Sequence, residues 1–180
     1  MSRKLLFFRS AGNSTIGSAH PLPFECRVEF WRPRPAPWSG YVGRKVDLVW
    51  WLFHHAHVFR NRDFSICRIW ENLQLVHQSV VFPPYFRFPF MGRGDLQIGD
   101  TWTLPSQRNR GLAVSAIENI VTACARPGRA FWYVVSEDNV ASTKVMEKCT
   151  FELVGTGVRT KRFGLRLFGA FQLTEHHSAC

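Results

Sequence analysis

An apolar stripe in the second half of the chain constrains the fold more than any other feature. Small and aliphatic residues recur there at i, i+3, i+4, i+7, i+8 and i+11: Ala113, Ala116, Ile117, Ile120, Val121 and Cys124. This spacing puts them on one face of a helix, and the breaker Arg126-Pro127-Gly128 ends it. A helix with one apolar face must pack on a second layer.

Runs rich in β-branched and aromatic residues on both sides of this helix indicate that the second layer is a sheet. The predicted strands are 24–31, 64–70, 73–82, 96–104, 130–135, 151–160 and 163–173. A further helix is predicted over 46–59, and another from a cap at Asp138 to Lys148. The order of elements predicts one α/β (α+β) domain over 1–180, with residues 1–23 partly irregular, a loop over 9–23, and a frayed tail over 174–180.

The charge balance favours an anionic partner. The formal net charge is +10, from 23 basic and 13 acidic residues. The basic residues are scattered, and no block of like charge resembles a nucleic-acid tail. Nucleic acid, anionic lipid and phosphate-bearing small molecules all fit this charge balance, and the absence of a basic block in the sequence disfavours nucleic acid.

Cysteine usage and hydropathy bear on location. The five cysteines are odd in number and form no C-x-x-C pair, which argues against a zinc ribbon or a disulfide framework and favours a reducing compartment. The apolar run Leu5–Phe8 is too short for a signal-peptide core, and 46–59 is too short and polar to span a membrane. We expect a cytoplasmic protein without a membrane span.

The segment Arg108–Ala113 lies between a strand that ends at Pro105 and the apolar-striped helix. The first turn of a helix has amide groups without internal partners, and together with the helix dipole they attract anions. Gly111 lets the backbone approach a phosphate closely. Two interpretations stay open from these residues alone: an anion-binding loop, or a helix start with two chance arginines.

Two motifs in order resemble the GNAT superfamily of N-acetyltransferases. Arg108–Ala113 (R-x-x-G-x-A) is similar to the superfamily's acetyl-CoA loop, Q/R-x-x-G-x-G/A, and Glu137–Phe151 is similar to its E-N-x-x-S-x-x-V-x-E-K-x-G-F helix. The resemblance covers about 64–173. It implies the GNAT fold, a mixed and mostly antiparallel sheet with a central splay, flanked by helices. It also implies acetyl transfer from acetyl-CoA to a primary amine, by direct attack in a ternary complex and without a metal.

The resemblance also implies a set of acetyl-CoA contacts. The backbone of the loop would bind the pyrophosphate; its residues are Arg108, Asn109, Arg110, Gly111, Leu112, Ala113 and Val114. Main-chain groups of Thr103 and Leu104 would pair with the pantetheine arm, and Asn139 and Ser142 would contact that arm from the other side.

The sequence departs from the superfamily pattern at two positions. Thr150 stands where glycine is usual, and Met146 stands where many members carry a tyrosine that protonates the leaving thiolate. Methionine has no proton to donate. Either Tyr133 or Cys149 supplies the proton, or the thiolate leaves unassisted, which its modest basicity permits.

The amine must lose a proton before or during attack, so a base is needed. Asp100, in the strand before the loop, is the first candidate, and His77, on the predicted hairpin, is the second; Gln97 cannot act as a base. The structural alternatives stay open, with Asp100 as a surface or hairpin-bonding residue and His77 as a packed histidine.

Other features allow several roles. His54 and His57 are one helical turn apart, but with His20, His176 and His177 they form no recognisable metal-ligand spacing. The aromatic loop 83–94 either covers the sheet or forms an acceptor wall with Arg87 and Arg93.

The pattern of the first half resembles GNAT members among surface-polysaccharide biosynthesis enzymes, which implies an amino sugar or nucleotide amino sugar as acceptor. The alternatives are transfer to a hydroxyl, and a non-catalytic module on the same fold that binds acyl-CoA or nucleic acid. The sequence does not indicate an oligomeric state.

Overall fold

The computed structural model describes residues 4–11, 22–23, 25–35, 46–161 and 169–175. Its elements, in chain order, are β1 Leu5–Ala11, β2 Cys26–Trp31, α1 Asp47–His55, β3 Ser65–Glu71, β4 Gln74–Phe82, β5 Leu96–Thr103, α2 Leu112–Cys124, β6 Ala130–Ser136, α3 Val140–Lys148, β7 Glu152–Arg159 and β8 Phe171–Glu175. A short 3-10 turn, Pro105–Gln107, connects β5 to the loop before α2.

The strands form one mixed sheet in the order β2-β3-β4-β5-β6-β1-β7-β8. Neighbours are antiparallel, except that β5 and β6 run parallel. The predicted fold class, a mixed and mostly antiparallel sheet flanked by helices, is confirmed.

Each face of the sheet carries its own core. Helix α2 packs on β3, β4 and β5, and its residues Ile117 and Ile120 are completely buried against that face. On the opposite face, Trp50 of α1 contacts Phe82 of β4, with ring centroids 4.4 Å apart. The loop 83–94 lies on the same face as α1, and its Tyr85 and Phe88 are buried in that second core. The loop therefore covers the sheet, which agrees with the first of its two interpretations.

One buried carboxylate connects the aromatic loop 83–94 to strand β6. Asp95 accepts hydrogen bonds from the backbone amide of Gly92 at 2.9 Å, from the amide of Ala130 at 3.1 Å, and from the indole of Trp132 at 2.8 Å. These bonds join the end of the aromatic loop to the first residues of β6. Removing the carboxylate would leave buried donors without acceptors.

Strand β1 corrects the sequence analysis, because the predicted loop over 9–23 is wrong for Arg9–Ala11. Strand β1 lies inside the sheet, between β6 and β7. Phe7 and Phe8 point to opposite faces, and both are buried. A strand covered on both faces is apolar at successive positions, so it lacks the alternation that identifies a half-exposed strand.

The C-terminal elements differ from the prediction in detail. The cap of α3 is Asn139 and not Asp138, because the Asn139 side chain accepts a hydrogen bond from the amide of Ser142 at 3.1 Å. Strand β8 runs to Glu175, so the predicted fraying is wrong for Thr174 and Glu175. Residues 162–168 and 176–180, which belong to the predicted last strand and tail, lie outside the described residues.

Strands β7 and β8 approach closely at a glycine. A β-carbon on Gly157 would lie 2.2 Å from the carbonyl oxygen of Gln172 and 2.8 Å from the ring of Phe7. Any larger residue at this position would have to displace the backbone of β8 or the ring of Phe7.

Candidate functional site

Strands β5 and β6 separate in the middle of the sheet. They pair at three positions, the last of which joins Ile98 to Tyr133, although β5 continues to Thr103 and β6 to Ser136. A bulge accompanies this separation: the register between β4 and β5 shifts after Gln78, and Asp100 adopts a left-handed φ of 48°. The predicted central splay is therefore present.

The splay opens into a cavity of about 820 Å³. Its walls are the end of β5, the loop before α2, the side of α3, and Tyr133 on β6. The lining residues are Thr101, Trp102, Thr103, Gln107, Arg108, Asn109, Gly111, Leu112, Ala113, Val114, Tyr133, Asn139, Val140, Ala141, Ser142, Lys144, Val145 and Lys148. The volume lies within the range of small-molecule and cofactor sites.

Most of the residues predicted to contact acetyl-CoA come together at this cavity. They are Thr103, Arg108, Asn109, Gly111, Leu112, Ala113, Val114, Asn139 and Ser142. Leu104 and Arg110 are not in the lining: the Leu104 amide donates to the carbonyl of Val76 at 2.9 Å, and Arg110 forms an ion pair with Glu71 at 2.8 Å. The contacts themselves stay predictions.

The loop geometry shows how the backbone reaches the cavity. Gly111 caps α2 with a φ of 76°, a left-handed conformation that favours glycine. The carbonyl of Gly111 accepts the amide of Ser115 at 3.0 Å, so the helix begins at the cavity wall. The amides of its first turn are those that an α-helix leaves without internal partners. Buried Leu112 and Val114 hold this turn in place.

Three basic side chains of the described residues line the cavity. Arg108 lines the cavity, as do Lys144 and Lys148, which lie one turn apart on α3. Arg110 instead holds the loop to the tip of the β3–β4 hairpin, and its guanidinium lowers the pKa of the Glu71 carboxyl. The Arg110 side chain is thus paired with Glu71 and is not among the residues that line the cavity.

Neither candidate base lines the cavity. His77 is completely buried behind the β5 wall, and desolvation lowers its pKa to about 4. Asp100 accepts a hydrogen bond from the indole of Trp50 on α1 at 3.2 Å, which draws its side chain to the α1 face of the sheet. Neither side chain is therefore among those that face the cavity, and the base stays a prediction.

The departures from the superfamily pattern have structural counterparts. Met146 is completely buried in the core. Cys149 is equally buried, and desolvation raises its pKa to about 12, which makes it a poor acid. Tyr133 is the candidate proton donor that lines the cavity. Thr150 adopts a left-handed φ of 55°, a conformation that costs a threonine roughly 1–2 kcal/mol more than a glycine.

Sequence reasoning missed several lining residues, among them Thr101, Lys144 and Lys148. A signal for the lysines was present, because they lie two and six residues after Ser142 on a predicted helix. Thr101 carried no signal, since the β5 bulge determines which way its side chain points.

The described ranges contain neither a metal-ligand cluster nor a membrane-spanning helix. Among these residues, no three His, Cys, Asp or Glu side chains come close enough to hold a metal ion. His20, His176 and His177 lie outside them. No helix in the described part of the chain is both long and apolar enough to cross a membrane.

Comparisons with known proteins identify the fold. No protein-family model matches the sequence, and no curated protein matches it. Solved structures do match. A Drosophila protein has a TM-score of 0.59 at 14% identity, over 87% of this chain and 49% of that one. A tandem GNAT protein from the clavulanic acid biosynthesis pathway has a TM-score of 0.59 at 12% identity, over 87% and 52%. A GNAT-family acetyltransferase from Colwellia psychrerythraea has a TM-score of 0.54 at 12% identity, over 88% and 55%.

The chain thus spans about half the length of these solved chains. At such low identity the likeness establishes the fold, and that fold is the one shared by GNAT acetyltransferases.

Proposed function

We propose that the cavity at the splay binds acetyl-CoA and that the protein transfers the acetyl group to a primary amine of a small molecule. One observation carries the proposal: a helix that begins at a left-handed glycine and a pair of separating parallel strands face the same cavity. The first supplies amide donors for a pyrophosphate. The second leaves main-chain groups of β5 facing the cavity instead of β6.

The donor fits this arrangement by shape and charge. The pyrophosphate lies on the first turn of α2, near Arg108, and the pantetheine arm follows β5 toward the splay. Its amide groups pair with the main chain beyond Ile98 as a short added strand. The thioester then lies close to Tyr133, whose hydroxyl is the proton donor for the leaving thiolate in this proposal.

The acceptor reacts from the splay. A neutral amine attacks the thioester carbonyl, the tetrahedral adduct collapses, and the thiolate leaves with a proton. Nucleotide amino sugars are the first acceptors to test, on the strength of the sequence resemblance. The proposal includes a cytoplasmic location, which the free thiols of Cys26, Cys67, Cys124 and Cys149 favour.

Calorimetric titration with CoA tests the donor site, and the chain offers a matched control. Gly111 and Gly128 flank α2, with φ values of 76° and 73°, but only Gly111 lines the cavity. Gly111→Glu and Gly128→Glu therefore impose the same backbone strain. We expect Gly111→Glu to weaken binding by at least about tenfold, or 1.4 kcal/mol, and Gly128→Glu to leave it unchanged. Equal affinities in all three proteins would remove the phosphate site from this loop.

A turnover assay separates catalysis from binding alone. Thiol release from acetyl-CoA is measured with nucleotide amino sugars, polyamines, aminoglycosides and peptide N-termini, and with alcohols of matched structure. Release with an amine supports the transferase, and release with alcohols alone indicates transfer to a hydroxyl. CoA binding without release from any acceptor favours the non-catalytic acyl-CoA module. Competition by RNA or DNA that weakens steeply with salt would indicate the nucleic-acid alternative.

A further inference from the structure

A chain of four polar side chains runs behind the β5 wall of the cavity. The hydroxyl of Thr103 lies 2.8 Å from Nδ1 of His77, and Nε2 of His77 lies 3.0 Å from the hydroxyl of Ser79. The Ser79 hydroxyl lies 3.1 Å from that of Thr101. Thr101 and Thr103 both line the cavity, whereas His77 and Ser79 are completely buried. This series of hydrogen-bonded side chains therefore begins at the cavity with one threonine and ends at the cavity with the other.

Every member of this chain can donate and accept a proton at once. A hydroxyl has one donor and two acceptor sites, and a neutral imidazole has one nitrogen of each kind. Burial keeps His77 neutral at ordinary pH, since its pKa lies near 4. A neutral imidazole that accepts a proton at one nitrogen while releasing one at the other never holds a net charge, so it avoids the desolvation cost that excludes it as a base.

The surroundings of His77 and Ser79 argue against a purely structural role for these two side chains. His77 pairs with Ile69 across the β3–β4 ladder, and Ser79 pairs with Cys67. Ile69 and Cys67 are completely buried in the core beneath α2. Apolar side chains would fill these two positions without polar atoms that need partners. The polar atoms of these two side chains are satisfied by each other and by the two cavity threonines.

We propose that Thr101, Ser79, His77 and Thr103 form a proton relay between the two substrates, an inference that rests on the proposed acetyl transfer. The amine nitrogen gains a positive charge as its lone pair forms the C–N bond. Its N–H bond then breaks, and the proton passes to the threonine hydroxyl nearest the amine.

Each member of the relay releases its own proton to the next. As the C–S bond breaks, the threonine at the other end delivers a proton to the sulfur of CoA, either directly or through the Tyr133 hydroxyl, which accepts that proton and releases its own to the sulfur. The products are the amide and the CoA thiol, and the relay carries no net charge afterwards. Hydroxyl rotation and imidazole tautomerisation after product release restore the starting arrangement. His77 acts only through the hydroxyls, so it is a positioning residue and not the base.

The experiment uses substitutions that remove one hydroxyl and keep shape. Thr101→Val and Thr103→Val each break the relay at the cavity, and the double variant breaks it no further. We expect each single variant to lower kcat by about 10²-fold, the double variant to lower it equally, and CoA affinity to stay the same in all three. Thr101→Ser should recover most of the rate lost in Thr101→Val, because serine restores the hydroxyl. Thr156→Val, on β7 and outside the cavity, is the matched control.

Solvent isotopes give a second readout that a structural role would not change. The rate is measured in mixtures of light and heavy water, with the best amine of the panel or with water as acceptor where no amine reacts. A plot of this rate against the deuterium fraction should be curved, as expected when several protons move in one step. That curvature should disappear in Thr101→Val.

Three results would each overturn the relay but leave the proposed function intact. They are additive losses of kcat in the double variant, a change confined to KM, and identical curvature in wild type and Thr101→Val. A wild-type protein that releases no thiol from acetyl-CoA with any acceptor, water included, would overturn the proposed function and the relay with it.

Discussion

Acidification should destabilise this protein through a single buried imidazole. His77 has no exposed surface and is neutral in the folded state, with a pKa of about 4 against 6.5 in an unfolded chain. Between these values the unfolded state binds a proton that the folded state does not. The stability that His77 contributes is therefore present above pH 6.5 and is lost as the pH falls toward 4.

The magnitude follows from the two pKa values. Their difference is worth about 3 kcal/mol in full, and about 2 kcal/mol of it is lost between pH 7.5 and pH 5. That is a large share of the 5–15 kcal/mol that stabilises a typical domain. Other histidines and the carboxylates add to the total pH dependence, so wild type alone cannot isolate this contribution.

A comparison with His77→Gln isolates it. Glutamine can still bond to the hydroxyls of Thr103 and Ser79, but it does not titrate. Urea unfolding followed by tryptophan fluorescence gives the free energy of unfolding of both proteins at pH 7.5, 6.5, 5.5 and 5.0. The gap between them should shift by about 2 kcal/mol in favour of the variant across this range. A gap that stays constant with pH would show that His77 titrates normally and is not desolvated, and the argument for a neutral relay would fail with it.

Three further predictions concern packing and reactivity. Asp95→Ala should lower the free energy of unfolding by about 3 kcal/mol in urea titration, because it leaves three buried donors without their acceptor; a loss below about 1 kcal/mol would mean that water replaces the carboxylate. Gly157→Ala should unfold at a much lower urea concentration than wild type, whereas Gly94→Ala, where nothing lies within 4 Å of the added carbon, should stay within about 1 kcal/mol; equal midpoints would contradict the close approach of β7 and β8. Cys67 and Cys149, whose thiols have a pKa of about 12 through burial, should react with an aromatic disulfide only after denaturation, and fast reaction of either thiol in the native protein would show that its pocket opens.

The sequence by itself determined the elements whose signals are local. The apolar stripe of α2 and the glycine before it predicted a helix that begins at Gly111, and the β-rich runs predicted β3, β4 and β5 within a few residues. Spacing along the chain encodes which side of a helix or strand is buried. The resemblance of two motifs to the GNAT superfamily, and not their spacing alone, implied that the loop from Arg108 to Val114 and the cap region of α3 belong to one candidate site.

Only the tertiary structure decided the features that depend on contacts between distant residues. The chain from Leu5 to Ala11 becomes a central strand because β6 and β7 accept it from both sides. Arg110 turns away from the cavity because Glu71 reaches it from another hairpin. His77 changes from a candidate base into a neutral imidazole because burial removes it from water and lowers its pKa, while Thr103 and Ser79 lie within hydrogen-bond distance of its two nitrogens. Burial and pairing of this kind are set by residues far apart in sequence, so local spacing does not encode them.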